Sequence, residues 1–348
     1  MGQAESKYSA LEKTLPDAKG KVFAITGTTS GTGFVAARTI ANHNGTVFLL
    51  NRPSKRSEDS LQKLKEAVPN GTFVPIDCDL QDFASCRRAC DEIRDNEHAS
   101  EGLYCLCNNA GIMAVPDTIT GDGYDVQMQT NHLSHFLITR ELFPLLEKSA
   151  NGPCGDARIV QHSSIAREGA AETGLEAPCL TKQEADGMLG GTKEGGSMTM
   201  EGPQFSRYSQ TKLANTVFCH ALNDKLQASN KTKILSLSAH PGVSVTNLAD
   251  HLMPGWTGKM IMAIFRAMGR FQSAEDGAMG ILRCAMAPPD SLKGGTLYGP
   301  AGEGMDGDGK AMAGDAVALP ARPYETDKAA KDLLWELSET AIGAVFEV

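Results

Sequence analysis

The sequence predicts an α/β fold: a doubly wound parallel sheet with helices on both faces, built as one domain. Short runs of β-branched, aromatic and aliphatic residues alternate with segments whose apolar residues recur at helical spacing, as βαβ units require. The first such run leads into a glycine-rich turn that opens a helix. The 348 residues are 41% hydrophobic and 22% charged, enough apolar mass for a sizeable core. There is no internal repeat of the length that marks solenoids.

Residues 1–20 are polar and mixed in charge and read as a tail before the domain, 21–348. Residues 21–26 (KVFAIT) are the first strand, and a helical pattern runs from Gly33 to about His43. Residues 46–50 (TVFLL) are the second strand, Ser57–Val68 a helix, Thr72–Ile76 the third strand and 82–95 a helix. Leu103–Cys107 is the fourth strand, Tyr124–Leu146 a long helix and Arg158–His162 the fifth strand. Residues 165–205 break the rhythm as an insert rich in Gly, Glu, Thr and Met, of a length usual for functional lids. Residues 206–228 resume as a helix and Lys233–Ala239 as the sixth strand. A helix near Ala274–Ala285, a short strand near Gly295–Tyr298, a Gly- and Asp-rich loop at 299–316 and a helix at Thr326–Ile342 close the chain.

A net charge of −9 argues against a general nucleic-acid binder. No apolar run reaches spanning length, and no charged-then-apolar leader opens the chain, so a secreted protein is not expected. Nine scattered cysteines without a C-x-x-C fit buried thiols in a reducing, cytoplasmic setting. Asp306-Gly307-Asp308-Gly309-Lys310 lacks the further oxygen ligands of a calcium loop, and the histidines show no ligand spacing, so no metal is expected.

The turn after the first strand is Thr26-Gly27-Thr28-Thr29-Ser30-Gly31-Thr32-Gly33. Glycines let the backbone approach a pyrophosphate, and the following helix offers it free N–H groups and a positive dipole end. Asn108-Asn109-Ala110-Gly111 follows the fourth strand, Asp79-Leu80 the third, and Ser163-Ser164 ends the fifth. Asn131 lies in the long helix. Tyr208 and Lys212 stand one helical turn apart in Y-x-x-x-K, and Pro241-Gly242 ends the sixth strand with Val243 and Thr246 beyond it. An ammonium beside a phenol favours the phenolate, which tunes a tyrosine toward general acid–base work near neutral pH.

In this order, over residues 20–290, the motifs resemble the short-chain dehydrogenase/reductase family and its Rossmann fold. The resemblance implies Tyr208 as general acid–base, Ser164, the second serine of the pair, as the substrate-oxygen ligand, and Asn131 as holder of a relay water to Lys212. It implies contacts to adenine near Asp79, and to the nicotinamide end from Gly242 and Thr246. Asn51-Arg52 ends the second strand where NAD-specific sites carry a carboxylate. Arg52 suits a 2′-phosphate and Lys55 and Arg56 add charge, so NADP(H) is the expected cofactor.

Asn131-His132-Leu133-Ser134-His135-Phe136, Tyr208–Asn215 and the 44-residue gap from Ser164 to Tyr208 resemble the retinol dehydrogenase and protochlorophyllide reductase branch. Ser134 replaces that branch's glycine, and Ala214 stands where protochlorophyllide reductases carry cysteine, which disfavours light-driven reduction. The branch implies a hydrophobic carbonyl or alcohol substrate of retinoid, lipid-aldehyde or steroid type. A non-catalytic NADP(H) sensor or scaffold is the alternative from another class, and the intact Ser164, Tyr208 and Lys212 argue against it. Helices containing Asn131 and Tyr208 build dimers in this family, which implies a homodimer, and residues near 243–275 correspond to its substrate lid.

Two further signals point to peripheral membrane association. Met1-Gly2-Gln3-Ala4-Glu5-Ser6 matches the myristoylation pattern. In the segment 255–271, Lys259, Arg266 and Arg270 fall on one helical arc, with Met260, Ile261, Ile264, Phe265, Met268 and Phe271 across from them.

Overall fold

Burial on both faces accounts for the strand sequences. In the computed structural model, which describes residues 6–184, 202–242, 272–301 and 313–348, Val22–Thr26 form β1 and all five residues are buried. Phe23 and Ile25 join one apolar cluster, and Val22 and Ala24 the other, because successive strand side chains point to opposite faces. In β2 (Thr46–Asn51), Val47 and Leu49 divide from Phe48 and Leu50 in the same way. Strands covered on both faces therefore read as continuous apolar runs.

β3 (Thr72–Asp77), β4 (Cys105–Asn108), β5 (Ala157–His162), β6 (Ile234–Ala239) and β7 (Thr296–Pro300) complete the parallel sheet. The order is β3-β2-β1-β4-β5-β6-β7-β8, with β8 (Ala316–Leu319) antiparallel to β7. This last strand was not expected; it spans four residues and pairs along one edge, too short a run to stand out from the loop before it.

From Ser6 onward the segment before β1 is more than a tail. α1 (Lys7–Glu12), capped by Ser6, buries Tyr8. The Tyr8 hydroxyl lies 2.6 Å from Thr39 Oγ1 in α2 (Gly31–Asn42), and its backbone N–H donates to Asp276 in α8 (Ala274–Met286). One apolar anchor within six residues carries no legible period. α1, α2, α3 (Lys55–Ala67) and α8 cover one face of the sheet. The other face carries α4 (Phe83–Arg94), α6 (Ser134–Asn151), α7 (Pro203–Ala228) and α10 (Lys328–Ile342). The single helix expected at 124–146 is a short α5 (Val126–Met128), a π turn at Gln129–Leu133 and then α6. Asn131 sits in that widened turn, a distortion common at functional sites.

α10 lies across α6 and α7. The Trp335 ring is 5.2 Å from Phe136 and 5.9 Å from Phe218, Phe346 is 5.5 Å from Phe136, and His132 Nε2 meets Ser338 Oγ at 2.9 Å. These are the helices expected to form the homodimer. Their Phe136–Phe218 face is covered by α10.

Among the described residues, no helix is long and apolar enough to cross a membrane. All nine cysteines are free thiols, and only Cys154 is not fully buried.

Candidate active site

The chain leaves β1 toward β2 on one side and later returns to β4 on the other. Crossovers that diverge in this way open a crevice at the carboxyl ends of the two strands. Thr26 closes its floor: Oγ1 accepts the backbone N–H of Asn109 at 3.0 Å and of Ala110 at 2.9 Å. Asn109 Nδ2 donates to Thr26 O at 2.8 Å, and its Oδ1 accepts from Thr32 at 3.0 Å. Asn51 braces the opposite wall, accepting the Thr28 N–H and donating to the Thr28 hydroxyl, both at 2.8 Å. Its side chain is thus spent on shaping the loop.

Two glycines set the cradle's depth. Gly27 has φ +73°, and a Cβ there would lie 2.8 Å from Ala110 Cβ. A Cβ on Gly33 would lie 2.4 Å from both Asn109 Nδ2 and the Gly27 carbonyl oxygen. Ser30, the N-cap of α2, makes no capping bond, so no cap side chain competes for the helix's first N–H groups. Gly31, Thr29 and Thr32 complete this lip. With no room for a Cβ at Gly27 or Gly33, the loop is drawn tight against Asn109 and Ala110, and the uncapped helix N-terminus beside it fits a dinucleotide pyrophosphate. Gly33→Ala should cost about 1–3 kcal/mol of stability through overpacking and abolish dinucleotide binding. Thermal melts with and without NADPH check this; a variant that NADPH still stabilises would contradict it.

Arg52 is exposed and has no side-chain partner among the described residues, while Arg56 reaches the cradle, its Nη2 2.5 Å from Ser30 Oγ. Lys55 is paired with Asp59 instead.

The two serines after β5 divide their work. Ser163 Oγ donates to Lys212 O and meets Thr216 Oγ1, each at 2.8 Å, which locks β5 to α7. Ser164 caps the 3-10 turn Ile165–Ala170, its Oγ accepting the Ala166 N–H at 3.2 Å. Tyr208 is 4% exposed and packs with Met113 and Phe205, against Ala114 and Ala166. Lys212 Nζ donates to His162 O at 2.9 Å and lies 5.6 Å from the Tyr208 ring centre. Asn131 accepts the Ile112 N–H at 2.8 Å and donates to Ile112 O and Thr211 Oγ1, both at 2.9 Å. A Cβ on Gly111 would sit 3.1 Å from Asn131 Oδ1 and 3.3 Å from Lys212 Nζ, so these three residues meet at one point.

The electrostatics differ from the simple Tyr–Lys argument. Burial pushes the Tyr208 phenol up to about 12, against a smaller opposing pull from its hydrogen bond with Ser164. Burial also brings Lys212 down to about 8. Burial is thus the dominant influence on both groups, and it favours the neutral phenol of Tyr208.

The remaining expected residues lie at the same end of the sheet or outside the described residues. Asp79 follows β3 and accepts the Gln81 N–H at 3.0 Å. The Leu80 side chain is in the core, and its carbonyl accepts from Ser134 at 2.7 Å, so the serine that replaces the branch's glycine ties α6 to this loop. Pro241 O accepts from Gln272 at 3.0 Å, and the Gly242 N–H donates to His240 Nδ1 at 3.1 Å. Val243, Thr246, Gly2, the segment 255–271 and the 306–310 loop lie outside the described residues. Sequence reasoning missed the bracing by Thr26, the His162 carbonyl and Asn215, whose Nδ2 donates to that carbonyl at 3.1 Å. Only Thr26, standing before Gly27, left a local signal.

A family model described as short chain dehydrogenase matches residues 21–174. The chain is 36% identical to an uncharacterized oxidoreductase of Schizosaccharomyces pombe, over 68% of this chain and 64% of that relative's length. It is 30% identical to the short-chain dehydrogenase TIC 32 A of Brassica napus, over 92% of this chain and 88% of the relative. It is 29% identical to retinol dehydrogenase 12 of Homo sapiens, over 77% and 74% of the two chains. The solved structure of an uncharacterized protein from Mycobacterium paratuberculosis is 28% identical with a TM-score of 0.68, covering 97% of this chain and 98% of that one. The fold and these relatives define an oxidoreductase of the Rossmann type. The chain belongs to the short-chain dehydrogenase/reductase family.

Proposed function

We propose that this protein is an NADPH-dependent oxidoreductase acting between the carbonyl and alcohol forms of a hydrophobic substrate, with Tyr208 as general acid–base. The observation that carries the reading is the convergence of Ser164, Tyr208, Lys212 and Asn131 beside the dinucleotide crevice. Gly27, Thr29, Ser30, Gly31, Thr32 and Gly33 would hold the pyrophosphate, Arg52 and Arg56 the 2′-phosphate, and Asp79 and Leu80 the adenine. Asn109, Ala110, Gly111, Tyr208, Lys212, Pro241, Gly242, Val243 and Thr246 would line the nicotinamide side. When bound, the nicotinamide supplies or accepts the hydride.

The chain's own residues do the rest. Ser164 Oγ accepts from Ala166, and its own proton, directed at Tyr208, would turn to a substrate oxygen placed between the two. Tyr208 would give that oxygen its proton, and burial favours the protonated phenol that this reductive step uses. Lys212, brought down to about 8, replaces the proton through the water that Asn131 would hold. Met113, Phe205, Ala114 and Ala166 surround the phenol with apolar surface, which supports a retinoid-, lipid-aldehyde- or steroid-like substrate. The test is NADPH consumption against retinal, medium-chain aldehydes and steroid ketones. Tight NADPH binding without turnover of any of them would overturn the reading in favour of a sensor.

For the cofactor, Arg52→Ala with Arg56→Ala should raise KM for NADPH about 10- to 100-fold, the loss of charge-assisted bonds of ~1.5–3 kcal/mol. KM for NADH should not change. Equal effects on both would sink the NADP assignment.

The reading extends to peripheral membrane contact. Its supports are the acylation pattern at Gly2 and the docking of α1, where Tyr8 bonds Asp276 just beyond segment 255–271. Sedimentation of the myristoylated protein with liposomes tests it, and no binding would overturn it.

A further inference from the structure

Ser164 is the second residue beyond the end of β5. The β5–β6 register stops at His162 opposite Ala239, and the Ser163 N–H still reaches Ala239 O at 2.8 Å. Nothing in the sheet holds Ser164 itself. Its carbonyl instead accepts two bonds from Arg167, one from the backbone N–H and one from guanidinium Nη1, both at 3.2 Å. Arg167 is 4% exposed, and its Nε lies 2.5 Å from Oε1 of Glu325, which is wholly buried. Glu325 belongs to α9 (Pro323–Thr326), 158 residues further along the chain. Its other oxygen accepts the Arg322 N–H at 2.8 Å, which fixes the carboxylate in α9. A second link runs beside the first: Arg167 Nη2 lies 3.2 Å from Glu168, and the Tyr324 hydroxyl donates to Glu168 at 2.7 Å. On the opposite side, a Cβ on Gly169 would lie 2.7 Å from Ser209 Oγ, so the 3-10 turn is gripped between α7 and α9.

We propose that Arg167 and Glu325 are a positioning pair that holds Ser164 in its working orientation, so that the C-terminal segment takes part in building the active site. The proposal rests on the oxidoreductase reading above. A buried guanidinium needs its carboxylate, because an unpaired buried charge is strongly disfavoured. The planar fork is needed as well: one guanidinium reaches the Glu325 carboxylate and the Ser164 carbonyl at the same time, which a lysine ammonium cannot do from the same stem. Small displacements of a group that must meet the reacting atoms cost rate out of proportion to their size.

Arg167→Lys separates positioning from fold stability, because it keeps a charge for Glu325 and gives up the fork. It should melt within a few degrees of the native protein, bind NADPH within about twofold, and lose about tenfold in kcat. Made in a Ser164→Ala background, it should change kcat less than about twofold, because the residue it positions is gone. Glu325→Gln leaves the buried guanidinium without that carboxylate, so it should melt clearly lower than Arg167→Lys while showing the same loss of kcat, again absent in the Ser164→Ala background. The double variant Arg167→Met with Glu325→Met removes the buried charges together and should fold with the same low kcat. Turnover lost in Ser164→Ala but kept in Arg167→Lys, or an equal loss in both backgrounds, overturns the positioning role alone. Native turnover in Ser164→Ala overturns the catalytic reading and the proposal with it.

Discussion

Tyr208→Phe should fold, bind NADPH with unchanged affinity and lose about 100- to 10,000-fold in turnover, the usual worth of a positioned proton donor. The substitution removes one oxygen from a ring packed among Met113, Phe205, Ala114 and Ala166, and leaves that packing in place. Its hydrogen-bond partner, Ser164, is only partly buried and still accepts from Ala166, so the cost to the fold is small. Chemistry and binding should therefore separate cleanly: kcat falls while the NADPH dissociation constant, followed by nucleotide fluorescence, stays within about twofold. A variant retaining a tenth of native turnover would show that another group carries the proton. Burial sets the sign of the pH effect as well. With the phenol near 12 and Lys212 near 8, the reductive rate should hold through neutral pH and fall as Lys212 loses its proton above about pH 8.

Acid should unfold the protein early and steeply. His132, His162 and His240 are brought down to about 3 and His135 to about 4, in each case mainly by burial. In the unfolded chain each takes up a proton near the ordinary value of about 6.5. Above that value neither state binds the proton, and the stability is fully present. As the pH falls below 6.5 toward 4, the unfolded state binds protons that the folded state refuses, and stability is lost. Asp125, raised to about 6 by burial, acts the other way below pH 6 and offsets one histidine. A net of about three protons corresponds to about 4 kcal/mol per pH unit. That is a large part of the 5–15 kcal/mol that holds a typical domain together. Denaturant midpoints measured from pH 7.5 to 5 check this, and His132→Asn should flatten the slope by about one proton. A midpoint independent of pH across that range would mean that these imidazoles titrate in the folded state.

The two histidines of the Asn131–Phe136 motif show why such effects are hard to read from a sequence. That neither has ligand spacing around it is legible in the sequence. Their charge state is not, because desolvation depends on what the rest of the chain lays over them. His132 faces Ser338 of α10, 206 residues away, and His135 faces Thr26 of β1, 109 residues away. The phenol of Tyr208 repeats the lesson: the local i,i+4 pattern points to a lowered pKa, and burial reverses it.

The alternation of strand and helix, the glycine turn at the end of β1 and the order in which the polar motifs follow their strands are legible in the residues alone. Those features are local: period, turn chemistry and spacing are all carried within a dozen residues. What only the assembled fold reveals is that Asn51 braces Thr28, that Ser163 locks α7, and that α10 covers the Phe136–Phe218 face. It also reveals that β8 joins the sheet, that α1 docks through Tyr8, and that Glu325 reaches back to Arg167. Each of these depends on burial or on partners that meet only when the sheet assembles, and burial leaves no period in the sequence that encodes it.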